Sequence, residues 1–385
     1  MWKLVRYVLC LSAAGLSASA ESPDFASRDE LVGWLRAEYA KAPAEWPAPT
    51  LDEGVAHREL GTPGPVPFPE GMEPTKEKKQ LGLSLFFDPR LSGSQQISCS
   101  RCHDPEKGWS DGRSLANGVF MHQLARNTPG LHGVGHHKSH FWDGRVPTLE
   151  AQAVAVITNP EEMAGDPAVI VERLNKEAEF YGPRFEAAFG DPEISFDRVV
   201  QALAAFERGL GVGRSDFDRF LGGKHEALSD SALVGLHLFR TQARCLNCHN
   251  GPEFSDHKFH NAGLTYYGRR FEDQGLYAVT GKPEDMGRFR TPSLRNVGKT
   301  GPWMHNGLFP SMRGVLNLYN AGMPRPKRKE HQKDDPLFPE TSPLLKPLDL
   351  SIEQRADLEA FLMSLDEPSM RVLSPPFPPL APPGG

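Results

Sequence analysis

Two short stretches carry the strongest chemical signal in the chain: Cys99-Ser-Arg-Cys102-His103 and Cys245-Leu-Asn-Cys248-His249. One helical turn can present two thiols spaced this way, with the imidazole that follows, to a porphyrin. The thiols form thioethers with its vinyl groups, and the histidine becomes an axial iron ligand. A zinc ribbon fails on spacing: 142 residues separate Cys102 from Cys245, where ribbons use about 15–20. A thioredoxin-like pair needs a parallel-sheet setting that this sequence does not offer. Cys10 falls in the N-terminal leader, and the two motifs consume the four remaining cysteines, so a generic disulfide framework is not the reading. The expectation is two covalently bound haems c, with His103 and His249 as proximal ligands.

The motifs belong to an internal repeat. The first copy continues Trp109-Ser-Asp111, Arg126-Asn-Thr-Pro129 and Asp143-Gly-Arg-Val-Pro147-Thr-Leu149. The second continues Phe254-Ser-Asp256, Arg290-Thr-Pro292 and Asn306-Gly-Leu-Phe-Pro310-Ser-Met312. Seven residues past Met312, two turns along a helix and on the same face, stands Tyr319; the same count from Leu149 reaches Val156. A phenol can close an iron and valine cannot, so the second haem is expected capped and the first open. Met304 and Met323 compete with Tyr319 for the cap, since His/Met ligation is common in electron-transfer haems. An open haem that activates peroxide needs a proton carrier and a hydrogen-bond donor beside it. Gln152, one turn before Val156, and Glu162, just after the Pro160 break, supply them, with Glu161 as the rival carboxylate. Trp142, before the Asp143-Gly144 turn, reads as a core residue or as an electron carrier between the haems.

The elements that position these groups read as mostly α: two tandem cytochrome c-like domains with long loops. The 385 residues, 39% hydrophobic, suffice for two domains, and 37 Gly with 35 Pro imply long connections. Residues 1–20 form a secretory signal: Lys3 and Arg6, a short apolar run, then Ala18-Ser-Ala20, with cleavage expected after Ala20 and a periplasmic destination. Residues 21–75 read as an extension wrapped on the surface, 76–222 as the first domain, 223–366 as the second and 367–385 as a Pro-rich tail. Apolar spacing predicts helices near 29–39, 76–87, 167–190, 196–210 and 229–241, and Ser351 with Gln354 caps a last one to about 365. No strand or hairpin signal stands out. Loss of Lys3 and Arg6 takes the formal charge from -6 to -8, which argues against nucleic acid and suits a basic or neutral protein partner. No later window is apolar enough for a membrane span.

Over residues 76–366 the sequence resembles the bacterial dihaem cytochrome c peroxidase family, including its MauG-type members. The resemblance rests on both attachment motifs, Arg126-Asn127-Thr-Pro129, Phe141-Trp142-Asp-Gly-Arg145, Leu149-Glu-Ala-Gln152, Asn159-Pro-Glu-Glu162-Met163 and Phe289-Arg-Thr-Pro-Ser-Leu-Arg295-Asn-Val. It implies Glu162 and Gln152 as the distal catalytic pair and Trp142 as the bridging tryptophan. It also implies Asn127, Thr300 and Pro302 as ligands of one calcium ion between the haems, and amide and carbonyl oxygens suit such a hard cation. Tyr319 stands where ordinary members carry methionine, as in MauG-type enzymes, which use hydrogen peroxide to oxidise a partner protein. Ordinary members draw electrons from a small cytochrome c or a cupredoxin. A third reading is a dihaem electron carrier without turnover. His122 reads as a surface histidine rather than the removable distal ligand of ordinary members. Ala243 replaces a tryptophan of the cofactor-maturing members, which bears on the partner or the electron exit. His132, His136, His137 and His140 read as a polar loop over the first haem, with a metal site as the alternative.

Overall fold

The computed structural model describes residues 25–369 and 371–380; the expected leader lies outside them. Eleven helices are present among the described residues: α1 (Arg28–Tyr39), α2 (Lys76–Phe87), α3 (Leu149–Thr158), α4 (Pro167–Lys176), α5 (Ala178–Phe189), α6 (Phe196–Arg208), α7 (Asp216–Leu221), α8 (Asp230–Arg240), α9 (Tyr277–Thr280), α10 (Met312–Asn320) and α11 (Ile352–Met363). Most begin on a short polar side chain that accepts a first-turn N–H, as Thr75, Thr148, Ser195, Ser229, Ser311 and Ser351 do. Each such cap contributes about 1 kcal/mol. Ser351 and Gln354 form the expected capping box. The helix expected over 167–190 is two, because Glu177 leaves helical geometry at φ -107°, ψ 33°. The sequence also hides one antiparallel pair, β1 (Phe259–His260) with β2 (Phe289–Arg290), too short to show alternation.

Each half is built on a pair of helices that cross through a glycine. A Cβ on Gly82 of α2 would lie 1.9 Å from the Ala202 carbonyl oxygen and 2.7 Å from Phe206 Cβ of α6. A Cβ on Gly235 of α8 would lie 2.0 Å from the Asp357 carbonyl oxygen and 2.8 Å from Phe361 Cβ of α11. The close approach brings the same aromatic trio together twice. Phe86, Trp109 and Phe206 meet at 5.0–5.7 Å between ring centroids, and Phe239, Phe254 and Phe361 at 5.2–6.3 Å. The repeat read from the motifs therefore extends to the scaffold behind them.

Two apolar cores follow from this. The first gathers α2, α3, α4, α5 and α6; the second gathers α7, α8, α10 and α11. Two boundaries differ from expectation. The described part of the extension, residues 25–75, is not only a peripheral wrap: Leu35, Tyr39, Trp46 and Leu60 are buried in the second core, and Arg240 donates to Tyr39 Oη (3.1 Å) and the Pro47 carbonyl (2.7 Å). Phe217 and Phe220 of α7 also pack in the second core, so the change of core falls before α7 rather than at residue 222. The Pro-rich tail returns to the first half, where the carbonyls of Pro378 and Pro379 accept from Arg90 at 2.7 and 2.9 Å.

Candidate functional site

The attachment histidines are held identically. His103 Nδ1 donates to the Trp109 carbonyl at 2.7 Å and His249 Nδ1 to the Phe254 carbonyl at 3.0 Å. Both carbonyl-bearing residues sit at positive φ, 63° and 52°, which turns those oxygens toward the imidazoles. Burial lowers both histidine pKa values, so each ring is neutral, with Nδ1–H engaged and Nε2 left as its donor atom. Among the described residues the four cysteines form no disulfide. Burial pushes the Cys102 thiol up to about 11 and Cys245 and Cys248 to about 12, and it raises Cys99 too. Such thiols are poor thiolate metal ligands and remain protonated for addition to a vinyl group.

In the second half these groups line one cavity of about 260 Å³ together with Tyr319. Met312, Val315, Leu316 and Tyr319, at helical spacing on α10, all face it. Burial raises the Tyr319 hydroxyl pKa, with the neighbouring Cys248 and Cys245 thiols adding to the shift. Met304 lines the same cavity. Met323 is buried outside that lining.

In the first half, Gln152 and Val156 lie one turn apart on α3, whose Leu149, Ala153 and Ile157 are buried. Val156 packs on the first core. Burial raises the Glu162 carboxyl pKa, opposed by the Arg145 guanidinium and the Asn159 side chain. Glu162 lies close enough to Cys102 for its charge to raise that thiol. The rival Glu161 points outward, 3.7 Å from His122, and both side chains are more than half exposed at 65% and 51%.

Trp142 joins the halves. Its indole N–H donates to the Asn127 carbonyl at 2.9 Å, and its own carbonyl accepts from Arg290 N at 2.9 Å. Beside it, Arg126 donates to Asp143 of its own half at 2.6 Å and, through two nitrogens, to Asp273 of the other at 2.7 and 2.8 Å. Asn127 Nδ2 donates to the Arg113 carbonyl at 2.7 Å, so the amide presents its oxygen as the remaining acceptor. Asn127 and Thr300 line the cavity together, and Pro302 follows two residues on. An amide oxygen and backbone carbonyls are the ligand types a hard cation takes.

Several buried polar groups are unpartnered, which the sequence did not reveal. Arg290 Nε, His137 Nε2 and His305 Nε2 have no hydrogen-bond partner although their residues line the cavity. Burial alone lowers the Arg290 pKa to about 10. An Arg290 Nε–H without a protein acceptor, beside two neutral imidazoles whose Nε2 is unpartnered, fits a guest that carries carboxylates, as the propionates of haem do. Glu207 on α6 is buried, with Oε2 unpaired and its pKa pushed up by burial to about 8; its charge adds to the rise at Cys99. The repeat held one unread signal: His305 precedes Asn306-Gly307 as Trp142 precedes Asp143-Gly144. Of the histidine loop, His132 and His137 line the cavity that holds the second attachment motif, while His140 lies within electrostatic reach of Arg208 and Glu150 in the first half. Among the described residues the one cluster with metal-ligand spacing is Cys248, Asp256 and His260, whose thiol belongs to the attachment motif.

A chain with two like-built halves, each presenting two thiols and a neutral imidazole, is a dihaem c-type cytochrome in its architecture. The comparisons sharpen this. A model of the di-haem cytochrome c peroxidase family matches residues 76–226. The methylamine utilization protein MauG of Methylorubrum extorquens is 39% identical over 319 residues, covering 82% of this chain and 86% of that protein. Cytochrome-c peroxidase IdrP1 of Pseudomonas sp. (strain SCT) is 34% identical, covering 81% and 87%. The crystal structure of a MauG-like protein associated with microbial copper homeostasis matches with a TM-score of 0.69 and 31% identity, covering 83% of this chain and 96% of that one. The chain belongs to the di-haem cytochrome c peroxidase family. It is an oxidoreductase with two haems c that takes peroxide as oxidant and a protein as substrate or donor.

Proposed function

We propose that the protein is a periplasmic MauG-type oxidase that reduces hydrogen peroxide to water while oxidising side chains of a partner protein. The observation that carries this reading is the contrast between Tyr319, which shares a cavity with His249, and Val156 at the equivalent position of the first half. The haems, when bound, supply iron that accepts oxygen from peroxide and stores oxidising equivalents. Cys99, Cys102 and His103 hold the first, and Cys245, Cys248 and His249 hold the second, with Tyr319 as its cap. At the first, Glu162 takes the proton of the inner peroxide oxygen and returns it to the outer one as the O–O bond breaks, while Gln152 donates a hydrogen bond that orients the peroxide. The raised Glu162 pKa suits a group that must both accept and release a proton.

Trp142, bonded to both halves, positions the contact through which they exchange electrons. Asn127, Thr300 and Pro302 hold one calcium ion beside it. In this reading the first core carries the peroxide site and the second, with the described part of the extension, the electron relay. The leader and the c-type motifs support export to the periplasm. Conventional peroxidase action, with a small cytochrome c or cupredoxin as donor, is the second reading, favoured by Met304 in the same cavity. Peroxide treatment of the loaded protein with the protein encoded beside its gene, followed by mass analysis, separates them: a stable mass change in the partner supports the modifying oxidase, and reversible oxidation alone supports the donor reading.

A further inference from the structure

The chain is acidic overall, at -6, yet one surface reverses that sign. Residues 325–329 read Arg-Pro-Lys-Arg-Lys, four cations in five residues with no anion, and all five residues are exposed. Lys327 and Lys329 have no ion-pair partner among the described residues. Arg328 lies over the Phe338 ring at 4.8 Å and donates to the Asp335 carbonyl at 2.6 Å, which fixes the run in place. A second exposed loop adjoins it through the Tyr267 hydroxyl, which donates to Asp335 at 2.8 Å. That loop adds Arg269 and Arg270, the latter over the half-exposed Phe271 at 4.8 Å. Arginine and exposed aromatic rings are what the centres of protein interfaces are enriched in.

The position of this surface gives it a purpose. Arg325 donates to the carbonyl of Leu345, and the Pro324 carbonyl accepts from Thr341 Oγ1 at 2.6 Å. Leu344, Leu345 and Lys346 line the cavity that holds Tyr319 and His249. The basic run thus starts beside the wall of the cavity that holds the second attachment motif. The adjoining loop is rooted at Asp273, whose pair with Arg126 reaches the Trp142 contact.

We propose that Arg325–Lys329, with Arg269, Arg270 and Phe271 beside it, is the docking surface for an acidic protein that exchanges electrons with the second half. The proposal rests on the dihaem oxidase reading and specifies the partner's chemistry, reversing what net charge alone suggests. Glu272, Glu330, Asp334 and Asp335 flank the cations, and Glu340 pairs with Arg328 at 3.9 Å. A broad anionic lipid surface would press against these carboxylates as well, whereas a compact acidic patch on a protein can meet the cations and avoid them. Charge pairing of this kind acts mainly on the encounter rate and falls with salt.

The test uses the protein with both haems loaded. Peroxide-oxidised enzyme is mixed in a stopped-flow instrument with reduced plastocyanin, an acidic cupredoxin, or with reduced mitochondrial cytochrome c, a basic protein. The wild-type rate with plastocyanin should fall about ten-fold or more between about 10 and about 200 mM salt. The Lys327→Glu/Arg328→Glu/Lys329→Glu variant should lose about ten-fold or more at low salt. The milder Lys327→Gln/Lys329→Gln variant should lose an intermediate amount, which guards against a folding defect. Turnover with an uncharged hydroquinone should not change in either variant; its absence in the wild type would count against the peroxidase reading rather than against the docking surface. Unaltered plastocyanin rates in both variants, or faster wild-type reaction with the basic cytochrome, would overturn the proposal. So would variants that lose sedimentation with phosphatidylglycerol vesicles while keeping their plastocyanin rate, which would assign the surface to lipid.

Discussion

Trp142 and His305 occupy equivalent positions in the two halves, and their rings meet edge-on, 6.4 Å apart at 69°, across the contact between them. Each follows a residue at positive φ, Phe141 at 65° and Met304 at 70°, and each precedes a turn ending in Gly144 or Gly307. His305 stacks on Phe289 at 3.7 Å, and its carbonyl accepts from Asn127 N at 2.8 Å. The duplicated turn thus supplies both faces of the junction between the haem sites. Replacement of Trp142 by Phe keeps a ring but deletes the N–H that bonds Asn127. The expected result is a stability loss of about 0.5–1.5 kcal/mol in denaturant unfolding, and slower appearance of oxidised second haem after peroxide in rapid mixing.

Glu162→Gln keeps the shape of the side chain and removes its proton chemistry. Steady-state peroxide turnover should fall by about 10²–10⁴-fold while the absorption spectrum of the loaded protein stays the same. A spectrum that changes with activity would point to a structural role instead.

The pH profile carries a sign. Burial raises the Glu162 pKa and Arg145 opposes the rise, so the carboxylate form is depleted as pH falls through a value above the ordinary 4.5. Turnover that needs this base should decline on the acid side there. Arg145→Gln removes the opposing charge, raises the Glu162 pKa further and should move the acid limb to higher pH; an unmoved limb would separate Arg145 from Glu162.

Glu207 affects stability rather than turnover. Its folded pKa of about 8 exceeds the ordinary 4.5. The native state therefore binds the extra proton between those values, and its stability falls as pH rises from about 4.5 to about 8. Above that window the buried charge is present in full. Glu207→Gln should flatten this part of the curve and raise the melting temperature at pH 8, while leaving stability at pH 4 nearly unchanged. The check is thermal unfolding of the two loaded proteins across that range.

Gly235→Ala forces a methyl group against the Asp357 carbonyl and Phe361 at the crossing of α8 and α11. Overpacking of this kind costs about 1–3 kcal/mol. Because α8 supplies Phe239 to the trio behind His249, the absorption of the second haem should change with the loss of stability, and that of the first should not. Gly82→Ala should give the mirror-image result.

The attachment motifs, the repeat and the α10 face were legible because their signals are local: fixed spacing, duplicated order and 3.6-residue periodicity. Tyr319 and Met312 could be placed on one face by counting. The rest depends on tertiary contact. Leu35 and Tyr39 sit in a Pro-rich stretch whose composition says loop, yet they complete the second core. Glu177 looks like any helical glutamate, and only its backbone shows the break between α4 and α5. Glu207 reads as an ordinary acidic residue on an amphipathic helix, and its burial becomes visible once α2 and α3 close over α6. The unpaired donors of Arg290 and His137 are likewise properties of a cavity assembled from both halves.

In the proposed asymmetry Tyr319 closes the second haem while the first stays open. Electron paramagnetic resonance of the resting, fully loaded protein tests it directly, with Tyr319→Phe alongside. The account predicts one high-spin and one low-spin ferric signal in the wild type, with only the low-spin signal altered in the variant. Two low-spin signals in the wild type, or a variant spectrum identical to it, would contradict the account.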